Sequence, residues 1–301
     1  MKKINKDIII GVDHGYGYMK TAGTIMKSGI EEYPVKPPFL EDILEADRRV
    51  FVVGQIRNEH TADKTVTKDY YYMTLAAMAK ELKLHQITVA KNVILSVGLP
   101  YSFYAVQKEE LKEYLMQKKN VTFTFEGIKY SVEIKDVMVY PQGLPVLAKE
   151  LDAYRDKTIS VADIGSRTID VITYRQGKPY YDRCFSIDKK GTLDCVENIA
   201  KYYLGKYQEA VDEEDIQRLF QKKNVNLSAQ KIQFVKNLIK FYAKDVMKLL
   251  ESRLSNPIIL CGGGAVVLQH YYDEKKVNLK IINDIHCNAR GYEILTYNRI
   301  K

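Results

Sequence analysis

The apolar positions of this chain follow two rhythms. Short β-branched runs end abruptly at glycine or proline, and longer stretches repeat an apolar residue every three or four positions. Ile8–Val12 is a run of the first kind and predicts a buried strand; the glycines of "GYGY" allow a tight turn, and "YMKTAGTIM" suits one returning strand. Residues 31–69 are mixed, with Pro34, Pro37 and Pro38 breaking any long element, and "RVFVVGQ" stands out there as a short strand. From Tyr72 the period lengthens: Leu75, Met78, Ala79 and Leu82 share one helical face. "NVILSVGLP" predicts a buried strand, "SFYAVQKEELKEYLMQKK" an amphipathic helix, "VTFTFEG" with "KYSVEI" a hairpin, "DVMVYPQG" a strand ending in a turn, and "LPVLAKELDAY" a helix.

The rhythm then restarts. "TISVADIGSRTIDVITYRQGKPYYDRCFSI" reads strand, turn, strand, turn, strand, and a helix-rich stretch runs from about Thr192 to Ser255, where Ile232, Val235, Ile239, Tyr242, Val246 and Leu249 keep a helical period. "PIILCGGGAVVL" is a strand, a triple-glycine turn and a helix, and a last helix is expected after Asn288. Two halves of one plan result, each opening on a hairpin whose strand ends in Asp-x-Gly, at Asp13 and at Asp163.

Composition adjusts this picture little. The 301 residues are 46% hydrophobic, enough for one or two domains with a large core. No apolar stretch approaches the ~20 residues that span a bilayer, and the apolar run behind "MKKINKD" is too short for a signal-peptide core, so a cytoplasmic protein is expected. Cys184, Cys195, Cys261 and Cys287 form no Cys-x-x-Cys pair and lie at no zinc-site spacing from histidine, which suits free thiols in a reducing compartment. The net charge of +8 invites an anionic partner, but the lysines alternate with acids, as in "KEELKEYLMQKK", and read as a solvated mixed surface. The tyrosine triplet Tyr70–Tyr72 suggests a helix rim or a protein interface.

The doubled Asp-x-Gly turn carries the chemistry. A nucleoside triphosphate needs backbone N–H groups around its phosphates, which glycine-rich turns expose, and carboxylates that hold magnesium through ordered waters. In the first loop Gly15 and Gly17 would open the backbone to phosphate and Lys20 would neutralise charge. In the second, Gly165, Ser166, Arg167 and Thr168 would do the same, with the Ser166 and Thr168 hydroxyls as further donors and Arg167 touching either phosphate or an acid such as Asp170. Asp13 and Asp163 would face the metal. "ILCGGGAVVL" makes a surface on which a flat nucleoside can approach the backbone. A lone Asp-x-Gly is usually an ordinary hairpin turn; two on matched strands, followed by the triple glycine, point to a nucleotide. The chain has neither G-x-x-x-x-G-K-[ST] nor G-x-G-x-x-G after a strand, which excludes a P-loop enzyme and a simple dinucleotide binder.

With these elements in this order, the sequence resembles the actin-like ATPase superfamily. "DHGYGYMK" matches its first phosphate loop, "DIGSRTID" the second and "CGGGA" the adenosine loop, while "YPQG" and "NARG" look like its two connecting segments. "YYYMTLAAMAKEL", "VILSVGLP" and "VMVYPQGLPVL" are similar to the ParM/StbA and Alp group of plasmid-segregating bacterial actins. The resemblance implies two α/β domains with mixed, ribonuclease H-like sheets and nucleotide in the interdomain cleft. It sets domain I at about 1–155, with a smaller subdomain near 30–70. Domain II would cover 156–301, with a helical subdomain near 190–255 and a last helix from about 288 that packs back on domain I.

The same resemblance implies hydrolysis of ATP or GTP with Mg²⁺, coupled to filament formation. Asp13 and Asp163 would organise the metal, mainly through water, and Gln142 would place the attacking water. Gly15, Tyr16, Gly17, Tyr18, Lys20, Gly165, Ser166, Arg167 and Thr168 would bind the phosphates, and Gly262, Gly263 and Gly264 the nucleoside. Tyr16 stands where actins often carry Ser or Thr, so the backbone N–H is kept and the small hydroxyl is not. The implied partners are further copies of the chain and an adaptor bound to centromere-like DNA, without direct sequence-specific DNA contact and without membrane. A metabolite kinase of the same fold and a cell-division or cytoskeletal actin are the competing readings. The first wants a substrate carboxylate that is not evident beyond Asp13 and Asp163, and the second an amphipathic tail that "ARGYEILTYNRIK" does not offer.

Overall fold

A computed structural model describes residues 1–57, 63–148, 151–254, 257–272 and 278–301. The chain divides into two units, Met1–Glu150 with His286–Lys301, and Leu151–Ile285. The boundary expected near residue 155 lies a few residues earlier, and the C-terminal helix belongs to the first unit.

The first unit begins with β1 (Lys2–Ile4), β2 (Asp7–His14), β3 (Tyr18–Lys20), β4 (Ile25–Lys27), β5 (Ile30–Tyr33), β6 (Ile43–Ala46) and β7 (Arg49–Val53). It continues with α1 (Asp69–Leu84), β8 (Val89–Leu99), α2 (Tyr101–Leu115), β9 (Asn120–Phe125) and β10 (Ile128–Pro141). These strands form one sheet in the order β4-β3-β2-β8-β10-β9-β6-β7-β5, with β1 beside β2. β2, β8 and β10 run parallel, so Asp13, Leu99 and Pro141 end at the same edge.

Several expectations change. The single return strand after the first turn is two strands, because Thr21 turns the chain: its N–H donates to Thr24 O at 2.9 Å and its hydroxyl meets that of Thr24 at 2.7 Å. The region of 30–70 supplies β5, β6 and β7, which continue the main sheet through the pairing of Leu44 with Phe125; residues 58–62 of it lie outside the described residues. "KYSVEI" and "DVMVYP" are one strand, β10, whose register shifts around Ile134 let it pair with β9 early and β8 throughout. The helix expected over 144–154 is instead two 3₁₀ turns, Leu144–Leu147 and Leu151–Tyr154, with residues 149 and 150 outside the described residues. Tyr70–Tyr72 are no rim: α1 packs against β2, β3, β6 and β9, and the three rings are 8%, 2% and 2% exposed.

The second unit holds β11 (Thr158–Ile164), β12 (Thr168–Arg175), β13 (Lys178–Pro179) and β14 (Phe185–Asp188). After them come α3 (Thr192–Tyr207), α4 (Glu213–Phe220), α5 (Ala229–Arg253), β15 (Ile258–Cys261), α6 (Gly263–Tyr271) and β16 (Leu279–Ile281). Its sheet runs β13-β12-β11-β15-β16, with β14 also on β12. β11 and β12 are the antiparallel hairpin that the sequence announces, and β15 and β16 follow parallel to β11. The helical stretch expected to Ser255, itself outside the described residues, is α3 to α5. α5 buries Val235, Ile239, Ala243, Val246, Met247 and Leu250, a 3.6-residue stripe that closes the core with α3 and α6.

The last helix, α7 (Cys287–Ile300), returns to the first unit and packs on β2, β8 and the 3₁₀ turn at Leu144–Leu147. Gly11 permits this approach: a Cβ there would stand 2.0 Å from the Ala289 carbonyl oxygen. Glu293 on α7 accepts the Gly11 N–H at 3.1 Å and, with Glu81 of α1, takes the Met1 ammonium at 3.0 and 2.9 Å. The four cysteines are free, Cys195 and Cys261 buried and Cys184 and Cys287 half-buried.

Candidate functional site

In the first unit the sheet itself assembles the site. Asp13 is the last but one residue of β2 and pairs across the hairpin with Lys20. Gln142 follows the last residue of β10, and its backbone N–H donates to Leu99 O at 2.8 Å, which pins it beside the end of β8. Ligand sites of open α/β sheets form at such carboxyl ends of parallel strands. Here three expected residues come together: Lys20 Nζ donates to Asp13 Oδ2 and Gln142 Nε2 to Asp13 Oδ1, both at 3.2 Å. Asp13 is 4% exposed and Gln142 8%, so each oxygen of a buried carboxylate has its own donor. With its NH₂ on Asp13, Gln142 keeps Oε1 as an acceptor, the group needed to orient a water.

The loop after Asp13 is turned by its carbonyls. Ser28 Oγ donates to Gly15 O at 2.5 Å, Ser28 N–H to Gly17 O at 3.1 Å, and the buried Lys64 ammonium to His14 O. Tyr16 lies beneath that ammonium, its ring centre 5.0 Å from Lys64 Nζ.

The His14 side chain faces away into the core. Thr74 Oγ1 donates to Tyr70 O at 2.6 Å, so it accepts from His14 Nε2–H at 2.7 Å, and Nδ1, the acceptor nitrogen, is buried without a hydrogen bond. Burial, and then the nearby Lys64 charge, push the imidazole pKa down to about 3. The unfolded chain therefore binds a proton near pH 6.5 that the folded chain refuses. Stability from this group is complete above that pH and falls as pH drops towards 3, at about 1.4 kcal/mol per unit. Urea unfolding between pH 7 and 4.5, in EDTA without nucleotide, is expected to show this loss. His14→Gln is expected to flatten the curve; parallel curves for the two proteins would show that His14 does not titrate this way.

In the second unit a helix performs the turning. Asp163, the last but one residue of β11, lies opposite Asp170 and beside Cys261 of β15. Gly165 N–H closes the turn on Thr168 O at 2.9 Å. The first amides of α3 reach the loop carbonyls: Thr192 N–H donates to Gly165 O at 3.0 Å, Leu193 N–H to Ser166 O at 2.8 Å and Gly191 N–H to Arg167 O at 3.3 Å. The orphan donors of a helix N-terminus are thus satisfied by the loop. Carbonyl and N–H point opposite ways in a trans peptide, so the N–H groups of Ser166, Arg167 and Thr168 face the other side, as a phosphate cradle requires. Gly191 makes the contact possible, since a Cβ there would lie 2.2 Å from Ser166 O.

The side chains of this loop have other tasks. Arg167 does not pair with Asp170, the acid suggested by the hairpin. Its guanidinium is held by Asp194 at 2.9 Å and Glu197 at 2.6 and 2.8 Å, one and two turns along α3. Asp170 instead accepts from the hydroxyls of Thr168 at 2.9 Å and Ser186 at 2.5 Å. The triple glycine is unequal. Gly262 has φ +82° and would place a Cβ 2.3 Å from Asp163 Oδ1, and Gly264 one 2.1 Å from Ile164 Cγ2, whereas Gly263 faces open space. Gly262 therefore lets the Asp163 carboxylate lie against the backbone at the end of β15, and the face of Gly263 is bare.

Among the described residues no three His, Cys, Asp or Glu side chains gather as a metal cluster. Magnesium is commonly held by one or two carboxylates with waters and phosphate oxygens, and Asp13 in the first unit and Asp163 in the second each carry hard carboxylate oxygens of that kind. Sequence reasoning missed Ser28, Lys64 and Gly191. Only Gly191 leaves a local signal, as a glycine at the start of "GTLD" in N-cap position.

Two family models match the chain: actin-like proteins, N-terminal domain, over residues 11–144, and archaeal actin homologue MreB-like, C-terminal, over residues 161–274. No curated protein sequence matches it. Among solved structures it is similar to apo pSK41 ParM, with a TM-score of 0.71 and 20% identity over 98% of this chain and 99% of that one. It is also similar to the archaeal actin homologue Ta0583 in complex with ADP, with a TM-score of 0.74 and 18% identity over 97% and 99%. A third likeness is the Alp12 filament subunit, with a TM-score of 0.69 and 19% identity over 99% and 100%. At these identities the structures speak for the actin-like two-domain fold, and the family models, one on each unit, speak for descent: the chain belongs to the actin-like proteins.

Proposed function

We propose that this protein is a nucleotide-dependent, filament-forming actin homologue that hydrolyses ATP or GTP with Mg²⁺ and moves plasmid or other mobile DNA through an adaptor. The observation that carries the enzymatic part is the Asp13 carboxylate fixed between Lys20 and Gln142 at the ends of three parallel strands. In this reading the backbone amides of each Asp-x-Gly loop bind nucleotide phosphate. Asp13 and Asp163 would hold Mg²⁺ through water, and its charge would offset that developing on the phosphates. Gln142 Oε1 orients the attacking water. Phosphoryl transfer asks little covalent work of the protein, so placement and electrostatics carry the rate.

ADP in the similar Ta0583 structure and the filament formed by Alp12 support nucleotide binding and self-assembly. Plasmid segregation and the DNA-bound adaptor rest on the sequence resemblance to the ParM and Alp group. No helix of the described residues is long and apolar enough to cross a membrane, and the proposal places the protein in the cytoplasm.

Gln142→Ala tests the assignment. Phosphate release is expected to slow about 10²-fold, with nucleotide affinity changed by less than about threefold, which corresponds to ~0.6 kcal/mol. A collapse of affinity with turnover unchanged at saturation would remove Gln142 from the water.

A further inference from the structure

The two loops reach the same backbone orientation by different means. In the second loop the carbonyls of residues 165 to 167 are tied by the N-terminus of α3. The first loop has no helix behind it in the chain; β3 follows directly. Its carbonyls are tied instead by Lys64 on His14 O, Ser28 Oγ on Gly15 O and Ser28 N–H on Gly17 O. By the geometry of the trans peptide, these three bonds turn the N–H groups of Gly15, Tyr16 and Tyr18 to the opposite side. Ser28 and Lys64 are each 2% exposed, so neither can reach phosphate through solvent; they act on the loop from behind.

We propose that Lys64 and Ser28 are positioning residues that preorganise the first loop for the phosphates of the nucleotide, replacing the helix N-terminus that serves the second loop. Lys64 has a double hold. Its ammonium takes the His14 carbonyl and also lies 5.0 Å from the Tyr16 ring centre and 5.6 Å from that of Tyr70, so the Tyr16 ring is packed under a cation. A buried cation behind the loop also favours anionic charge in front of it. This inference rests on the nucleotide-binding reading and adds to it the residues that set phosphate affinity.

The test separates phosphate from nucleoside. Binding of ATP, GTP, adenosine and guanosine is measured by calorimetry with Mg²⁺ for the wild type, Lys64→Met, Lys64→Arg and Ser28→Ala, with thermal melts of each. Lys64→Met is expected to weaken triphosphate binding about 10-fold or more and Ser28→Ala about 3- to 10-fold, the range for one lost hydrogen bond. Nucleoside binding is expected to stay within twofold, and Lys64→Arg to recover most of the loss. Folded variants that bind triphosphate as the wild type does overturn the proposal, as does an equal loss for nucleoside and triphosphate. A wild type that binds no triphosphate overturns the nucleotide reading itself. If Lys64→Met does not fold, Ser28→Ala decides alone, because it removes one oxygen from a backbone that Ser28 N–H still ties.

Discussion

Asp163→Ala is expected to give a folded protein that still binds nucleotide but turns it over about 10²–10³-fold more slowly, the usual cost of removing one preorganised electrostatic group. The expectation follows from how the structure treats this carboxylate. Asp163, next to the end of β11, is 7% exposed, and Gly262 is kept free of a side chain where a Cβ would meet its Oδ1 at 2.3 Å. The backbone is shaped around the acid, while β11 keeps its pairing with β12 and β15 through main-chain bonds that alanine does not disturb. Single-turnover phosphate release gives the rate, and a melt and a nucleotide titration give fold and affinity. Normal turnover by the variant would take Asp163 out of the mechanism.

Gly11→Ala is expected to strike stability instead. Its Cβ would stand 2.0 Å from Ala289 O and 2.9 Å from Ala289 C, both main-chain atoms of α7, so the helix or β2 must move. The same shift would loosen the Gly11 N–H bond to Glu293 and with it the carboxylate pair around the Met1 ammonium. Overpacking of this kind costs about 1–3 kcal/mol, a fall in Tm of roughly 2–12 °C for a unit of this size. Gly263→Ala is the control: nothing lies within 4 Å of its added Cβ, and its stability is expected to stay at the wild-type value to within about 0.5 kcal/mol. Equal melts for the two variants would mean that α7 does not seat on Gly11.

What could be read from the sequence was what local pattern controls. Ile8–Val12 and Thr158–Asp163 announce their strands because both sides of each are buried, and the Asp-x-Gly turns mark where they stop. Gly262 to Gly264 mark the second approach of backbone to backbone. The missed features depend on residues far apart in the chain. β5 and β6 are four-residue strands with three prolines between them, too short to show a period. The tyrosine triplet reads as surface until strands are known to cover α1 on several sides. The 3₁₀ turn at Leu144–Leu147 lies against α7, since a Cβ on Gly291 would lie 2.1 Å from Pro145 O, a contact across nearly half the chain. Within the site, the Asp-x-Gly acids and the glycines were legible as chemistry. Ser28 and Lys64 were not, because a residue that acts on a backbone carbonyl has no motif of its own.

The central claim, a filament driven by nucleotide, is tested most directly by right-angle light scattering of the purified protein, with pelleting as a check. Mg²⁺ is added with ATP, GTP, ADP or a non-hydrolysable triphosphate analogue across a range of salt and crowding. The account predicts a fast rise with triphosphate that decays as phosphate is released, a sustained rise with the analogue, and none with ADP. A flat trace under all of these conditions, from protein that binds nucleotide well, would contradict it and turn attention to a kinase of the same fold.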